Sequence, residues 1–103
     1  WARLPGMALH AVGIPWYKRE DWDEIRRVMA DSDRLHTSYD AWRAAAEQLR
    51  DKLKREGIVA VEANIDPRTF PAWCRERGLN VDAKARTEFA NIIARAHYRP
   101  AHD

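Results

Sequence analysis

The sequence predicts a mostly helical α+β domain with a helical hairpin, one central β-strand at about residues 58–65, and then two more helices. Three observations lead to this fold class. Apolar residues recur at helical spacing in both halves of the chain. Between the halves, a run of alternating apolar residues follows Gly57. The length of 103 residues suits one domain, so we expect residues 1–103 to fold together, with flexible tails at 1–6 and 99–103.

Composition narrows the classes of function. Hydrophobic residues make up 46% of the chain, and 18 basic residues oppose 16 acidic ones, for a net charge of +2. This balance does not favour nucleic acid or an anionic membrane as a partner. Cys74 is the single cysteine, which excludes an intramolecular disulfide and a cysteine-rich zinc site. We therefore expect a cytoplasmic protein with no metal or other cofactor.

The first half should contain two antiparallel helices. The first is predicted over about residues 19–30, with one apolar stripe. For the second, residues 37–40 resemble a capping box, and Gly57 is a natural left-handed stop. The first stripe contains Trp22, Ile25, Val28 and Met29, and the second contains Tyr39, Trp42, Ala46, Leu49 and Leu53.

The central strand raises the question of its partner, because one strand cannot satisfy its own backbone groups. It could pair with the same strand of a second copy, forming a homodimer, or with residues 8–14 of its own chain. Its odd-numbered face is apolar and belongs on the core, while its other face becomes polar toward residue 64. The candidate dimer strand contains Ile58, Val59, Ala60, Val61, Glu62, Ala63, Asn64 and Ile65.

Two helices should follow the strand. The third begins either at Asp66-Pro67 or after Thr69, and the second choice avoids placing Pro71 inside the helix. The fourth is capped by Asn80 or Asp82 and runs to about residue 97. Its predicted apolar stripe contains Ala85, Phe89, Ile92, Ile93 and Ala96.

Aromatic residues supply the candidates for a functional surface. The chain has five tryptophans, and Trp22, Trp42 and Trp73 each lie on an apolar stripe, which favours a role in the core. Trp16 and Tyr17 are predicted to lie in a connection, and His36 in a loop. These three are the candidates for contact with a ligand or partner. Cys74 is expected to be a buried structural residue, and the sequence indicates no catalytic residue.

Several short motifs resemble those of small, uncharacterised bacterial proteins, some of them carried on mobile gene cassettes. The motifs are Ile14-Pro15-Trp16-Tyr17, Thr37-Ser38-Tyr39-Asp40-Ala41-Trp42, Ile65-Asp66-Pro67 with Phe70, Trp73-Cys74 before Gly78-Leu79, and Ala85-Arg86 with Phe89-Ala90. The resemblance spans most of residues 14–90. It implies a bacterial cytoplasmic protein and no known activity, and it carries over no site residues.

The leading functional hypothesis is a non-enzymatic protein-interaction module that acts as a homodimer and can bind an unidentified protein partner. One alternative is a ribbon–helix–helix-like DNA-binding regulator, since a strand, a short helix and a longer helix follow one another after residue 57. Against this, the outward strand face would offer Ala60, Glu62 and Asn64 but no basic residue. The other alternative is a small-ligand-binding protein or enzyme with an aromatic pocket.

Overall fold

The computed structural model describes residues 11–97, which form an α+β fold that is mostly helical, as predicted. Among these residues, short 3₁₀ turns at Arg19–Asp21 and Ser32–Arg34 flank the first helix. In chain order, the strands and α-helices are β1 (Ala11–Trp16), α1 (Trp22–Val28), α2 (Tyr39–Arg55), β2 (Val59–Asn64), α3 (Phe70–Glu76) and α4 (Ala83–His97).

The two strands form a parallel sheet within the chain. Ala11 is aligned with Val59 and Trp16 with Asn64, and the Ile65 amide donates to the Trp16 carbonyl at 2.9 Å. Pairing with the N-terminal segment, one of the two predicted arrangements, is therefore present. Within the described residues β1 spans Ala11–Trp16, which extends past residue 14, and residues 8–10 lie outside the described range. A parallel pair needs a long crossover, which here consists of α1, α2 and their connections.

The sheet lies between two helices. Gly13 on one face lies against α4 at Ala90, whereas Trp16 on the other face packs against Trp42 of α2. The predicted division of β2 into two faces is confirmed, because Val61, Ala63 and Ile65 are buried while Glu62 and Asn64 are exposed. Val59 is the exception on the apolar face, with 38% of its surface exposed.

The placement of Trp16 and Tyr17 in a connection was wrong for Trp16, which is the last residue of β1. Pro15 precedes it within β1, and proline is compatible with a strand where its missing N–H would point away from the ladder. Trp16 and Tyr17 are both buried. Trp16 therefore belongs to the core.

Both helices predicted in the first half are present, and α1 is shorter than expected. Residues 19–21 form a 3₁₀ turn ahead of α1. Ser38, rather than Thr37, caps α2 by accepting a hydrogen bond from the Ala41 amide at 3.1 Å. Leu49, predicted on the buried stripe, is 45% exposed.

In the second half, Thr69 precedes α3 and Pro71 lies in its first turn, as the second of the two alternatives predicted. Asp82 caps α4 by accepting from the Ala85 amide at 3.1 Å. The predicted stripe of α4 was only partly right: Ala85 is buried, Phe89, Ile92 and Ile93 are partly buried, and Ala96 is exposed. The buried residues on α4 are Ala85, Arg86, Ala90 and Ala94.

Small side chains face the sheet because the backbone of β1 comes very close to α4 at Gly13. The larger residues of α4 are displaced to its flank, where Phe89 meets Phe70 and Trp73 of α3 at centroid distances of 5.6 and 5.2 Å. A second aromatic cluster joins β1, α1 and α2. It contains Trp16, Tyr17, Trp22, Tyr39 and Trp42. The expected core role of Trp22 and Trp42 is confirmed, while Trp73 is partly buried.

Candidate functional site

A groove of about 340 Å³ lies between α2 and α4. Its floor includes Ile14 and Pro15 of β1, and its mouth includes Arg34 and His36 from the loop after α1. The α2 wall is formed by Trp42, Ala45, Ala46 and Leu49, and the α4 wall by Ala83, Arg86 and Thr87. The exposure of Leu49 follows from this arrangement, because its side chain borders an open groove instead of a packed neighbour. We call this feature the α2–α4 groove.

The chemistry of the groove is apolar with a small cationic region. Among the described residues that line it there is no carboxylate, while Arg34 and Arg86 each bring a positive charge. Arg34 is exposed at the mouth, whereas only 8% of Arg86 is exposed. Arg86 is held in place by Asp31, outside the lining, through two hydrogen bonds of 2.8 and 3.0 Å. A planar guanidinium held by a carboxylate has a well-defined orientation.

Tyr17 adds a polar group to the otherwise apolar floor. Only 3% of its surface is exposed, and its hydroxyl makes no hydrogen bond with any residue in the described part of the chain. Burial raises the pKa of the Tyr17 phenol to about 12, although the nearby charge of Arg86 acts in the opposite direction. The hydroxyl therefore stays protonated at neutral pH and can donate a hydrogen bond into the groove.

Two of the three predicted contact residues, Tyr17 and His36, come together in the groove. Trp16 does not line it and packs edge-on against Trp42 at 5.2 Å. The sequence reasoning missed Arg34 and Arg86. Ala85 lies on the predicted apolar stripe of the fourth helix, and Arg86 follows it directly. An arginine beside an apolar stripe was the one sequence signal that could have indicated this residue.

The outer edge of β1 offers no free amide at Gly13 or Pro15 for further strand pairing. Backbone groups of alternate residues point to opposite edges of a strand, and Trp16 points toward β2, so Gly13 and Pro15 point outward. The Gly13 amide donates to the Asn91 side chain of α4 at 3.1 Å, and Pro15 has no amide hydrogen. A protein that protects an edge in this way disfavours strand addition there.

The outer edge of β2 is different. Because Ile65 donates toward β1, the backbone groups of Ala60, Glu62 and Asn64 point away from the sheet. Within residues 11–97, no hydrogen bond to the amides or carbonyls of these three residues is present. This edge therefore offers unpaired backbone donors and acceptors on the predicted dimer strand.

A shallow hollow of about 560 Å³ runs beside the open edge of β2, between the strand and α2. Its charged lining residues are Arg50, Lys54 and Glu62. Arg50 donates to the Glu62 carboxylate at 3.0 Å, so Lys54 is the cation of this hollow that makes no ion pair with a described residue. The hollow therefore presents a positive charge close to the outward-pointing backbone.

Other chemistry-bearing residues do not form a cluster. The Cys74 side chain is fully buried, and burial raises the pKa of its thiol, so it is a poor nucleophile. Residues 11–97 contain no group of three potential metal ligands. None of the helices in that range is both long and apolar enough to cross a membrane. His10, His102 and Trp1 lie outside the described residues.

No family model matches the chain, and comparisons with curated proteins and with solved structures find no significant match.

Proposed function

We propose that this protein is a non-enzymatic protein-interaction module that works as a homodimer joined through the outer edge of β2. The observation that carries the proposal is the difference between the two edges of the sheet. Gly13 and Pro15 close the edge of β1, whereas the backbone groups of Ala60, Glu62 and Asn64 point outward without partners among the described residues. Two copies of β2 running antiparallel would join two sheets into one of four strands.

The single open edge also explains why association would stop at two copies. When the same surface of both subunits meets across a two-fold axis, the interface is closed. A further copy would have to add at β1, where Pro15 has no N–H to donate and Asn91 already occupies the Gly13 amide. Pairing at both edges would instead generate an open filament.

Charge selects the register of the paired strands. Centring the two-fold axis on Glu62 would place two carboxylates opposite each other, which is destabilising. Centring it on Val61 places Glu62 opposite the partner's Ala60, with about four main-chain hydrogen bonds between the pairs. Since Ala60 and Lys54 line the same hollow, the carboxylate of Glu62 would then lie near the partner's Lys54. The exposed Val59 would face the partner's Ala63 across the same ladder.

The ribbon–helix–helix alternative receives less support. Strands that read the major groove of DNA need one face free to enter it, and here α2 and α4 lie against opposite faces of the sheet. The cytoplasmic location and bacterial origin remain part of the proposal. The single cysteine, Cys74, which is buried as a free thiol, is compatible with a reducing compartment.

The test is the solution mass of the full chain, measured by light scattering over a wide range of concentration. We expect about twice the 12.0 kDa of one chain. Ala60→Pro removes an outward N–H that takes no part in the pairing with β1, so it should leave the fold intact and give a monomer. Leu49→Ser, which changes a large exposed apolar residue outside β2, is the control and should remain dimeric.

A charge exchange tests the register. Lys54→Glu should weaken the dimer about three- to tenfold by facing the partner's Glu62, and adding Glu62→Lys should restore it. A monomeric wild type, or an Ala60→Pro variant as dimeric as the wild type, would exclude association through β2. Loss of the dimer in Leu49→Ser would place the interface on the α2–α4 groove instead.

A further inference from the structure

We infer that the α2–α4 groove binds a small amphipathic carboxylate, with its apolar chain between the two helices and its carboxylate held at the cationic end by Tyr17 and Arg34. This site lies at the β1 side of the sheet, so the inference does not rest on the proposed dimer. It names a ligand class for a surface that dimerisation through β2 would leave open.

The shape and lining of the groove select the apolar part of the ligand. A volume of about 340 Å³ is at the small end of the range for ligand pockets and suits a chain of about 8–10 non-hydrogen atoms. Ile14, Trp42 and Leu49 line it from two sides. Leu49 is 45% exposed at the side of the groove, and a bound chain would remove its side chain from water.

The polar groups select the charge of the ligand. The described lining contains Arg34 and Arg86 but no carboxylate, and Arg34 makes no ion pair with a described residue, so its charge is available to attract an anion. The Tyr17 side chain is almost wholly buried, and no hydrogen bond joins its hydroxyl to a described residue. The hydroxyl is therefore a donor available to a ligand oxygen. Arg86 contributes less than Arg34, because its charge is already paired with the carboxylate of Asp31, which lies outside the lining.

The small number of donors favours a carboxylate over a phosphate. One phenol and one free guanidinium match the two oxygens of a carboxylate. The first turn of α4 adds little, because Asp82 accepts the hydrogen bonds of both the Ala85 and the Arg86 amide. A phosphate site at a helix N-terminus would need several free amides.

The probes are octanoate, 1-octanol and octylamine, which share a chain length and differ in head-group charge. Titration calorimetry on the full chain should give one octanoate per chain, bound at least about tenfold more tightly than either of the other two. In heteronuclear NMR spectra, the indole signal of Trp42, which lines the groove, should shift in proportion to occupancy.

Two substitutions locate the site. Ala45 and Ala44 are adjacent exposed residues of α2, but only Ala45 lines the groove. Ala45→Phe should fill the groove and weaken octanoate at least about tenfold, whereas Ala44→Phe should bind like the wild type. Tyr17→Phe, which removes one oxygen atom, should weaken octanoate about three- to tenfold and leave octanol unchanged.

Three results would overturn the inference. The first is 1-octanol or octylamine binding as tightly as octanoate. The second is equal weakening by Ala44→Phe and Ala45→Phe in variants whose thermal unfolding matches the wild type. The third is an absence of saturable octanoate binding at millimolar concentration. The solution mass, measured on the same samples, reports on the dimer separately, so failure of one proposal does not resemble failure of the other.

Discussion

Gly13 is the position at which a single methyl group should do the most damage to this fold. It lies in the middle of β1, directly against the helix that covers the sheet. A Cβ atom built at Gly13 would overlap the carbonyl group of Ala90 and approach the Asn91 amide nitrogen to 2.9 Å. These are backbone atoms in the middle of α4, so no side-chain rotation can relieve the overlap. Gly13→Ala must move α4 away from the sheet.

The size of the effect follows from that displacement. Overpacking a close-packed interior costs about 1–3 kcal/mol, and an obstacle made of main chain belongs at the upper end. Movement of α4 would also stretch the 3.1 Å hydrogen bond from the Gly13 amide to Asn91. We expect a loss of about 3 kcal/mol, which corresponds to a fall in melting temperature of roughly 12–24 °C for a domain of this size.

Gly57→Ala provides the matched control. Gly57 has a φ of +80° and its Cβ would meet no atom within 4 Å, so only the left-handed backbone is penalised, at about 1–2 kcal/mol. Thermal and urea unfolding, followed by circular dichroism at one protein concentration, measure both variants. A Gly13→Ala protein as stable as Gly57→Ala would show that α4 does not pack on β1 as closely as described.

Three further predictions concern stability and reactivity. Asp31→Asn should cost about 2 kcal/mol at pH 7 by removing the charged partner of Arg86. Because Arg86 lowers the pKa of Asp31 in the folded state, the stabilisation is present above the unfolded pKa of about 3.9 and is lost as the pH falls through the folded one. Urea midpoints of wild type and variant should therefore converge in acid, and a constant difference would contradict this origin. Cys74 is fully buried with a raised pKa, so a thiol reagent should label the native protein at least about 100-fold more slowly than the urea-unfolded chain; equal rates would contradict its burial. Ser38→Ala should lose about 1 kcal/mol of stability through the α2 cap, whereas Thr37→Ala should lose much less, and the reverse order would make Thr37 the cap.

Much of the fold could be predicted from local sequence signals. The helices showed apolar residues at helical spacing, and Gly57 and Gly78 mark ends with positive φ values, as expected of left-handed stops. The faces of β2 followed from simple alternation. Such features depend on residues close together in the chain, and a single sequence reports them directly.

Only some of the residues that line the candidate groove could be predicted from such local signals. Tyr17 and His36 were predicted as contact residues because one is aromatic, the other is titratable, and both lie outside the predicted apolar stripes. Arg34 and Arg86 did not, because their significance depends on which neighbours share the site. Arg86 is paired with Asp31, a residue 55 positions away, and no local pattern signals such a pairing.

By itself, the sequence determined the class of the fold, the positions of its helices and the apolar face of β2, since these arise from local periodicity and from the few residues that stop a helix. Only the tertiary structure decided that β1 pairs with β2 in parallel, that Asn91 and Pro15 protect one edge of the sheet, and that no residue in the range 11–97 pairs with the other edge, at β2. The protected edge of β1 depends on the close approach of α4 to Gly13. Such an approach is set by the packing of distant segments and leaves no local trace beyond one glycine.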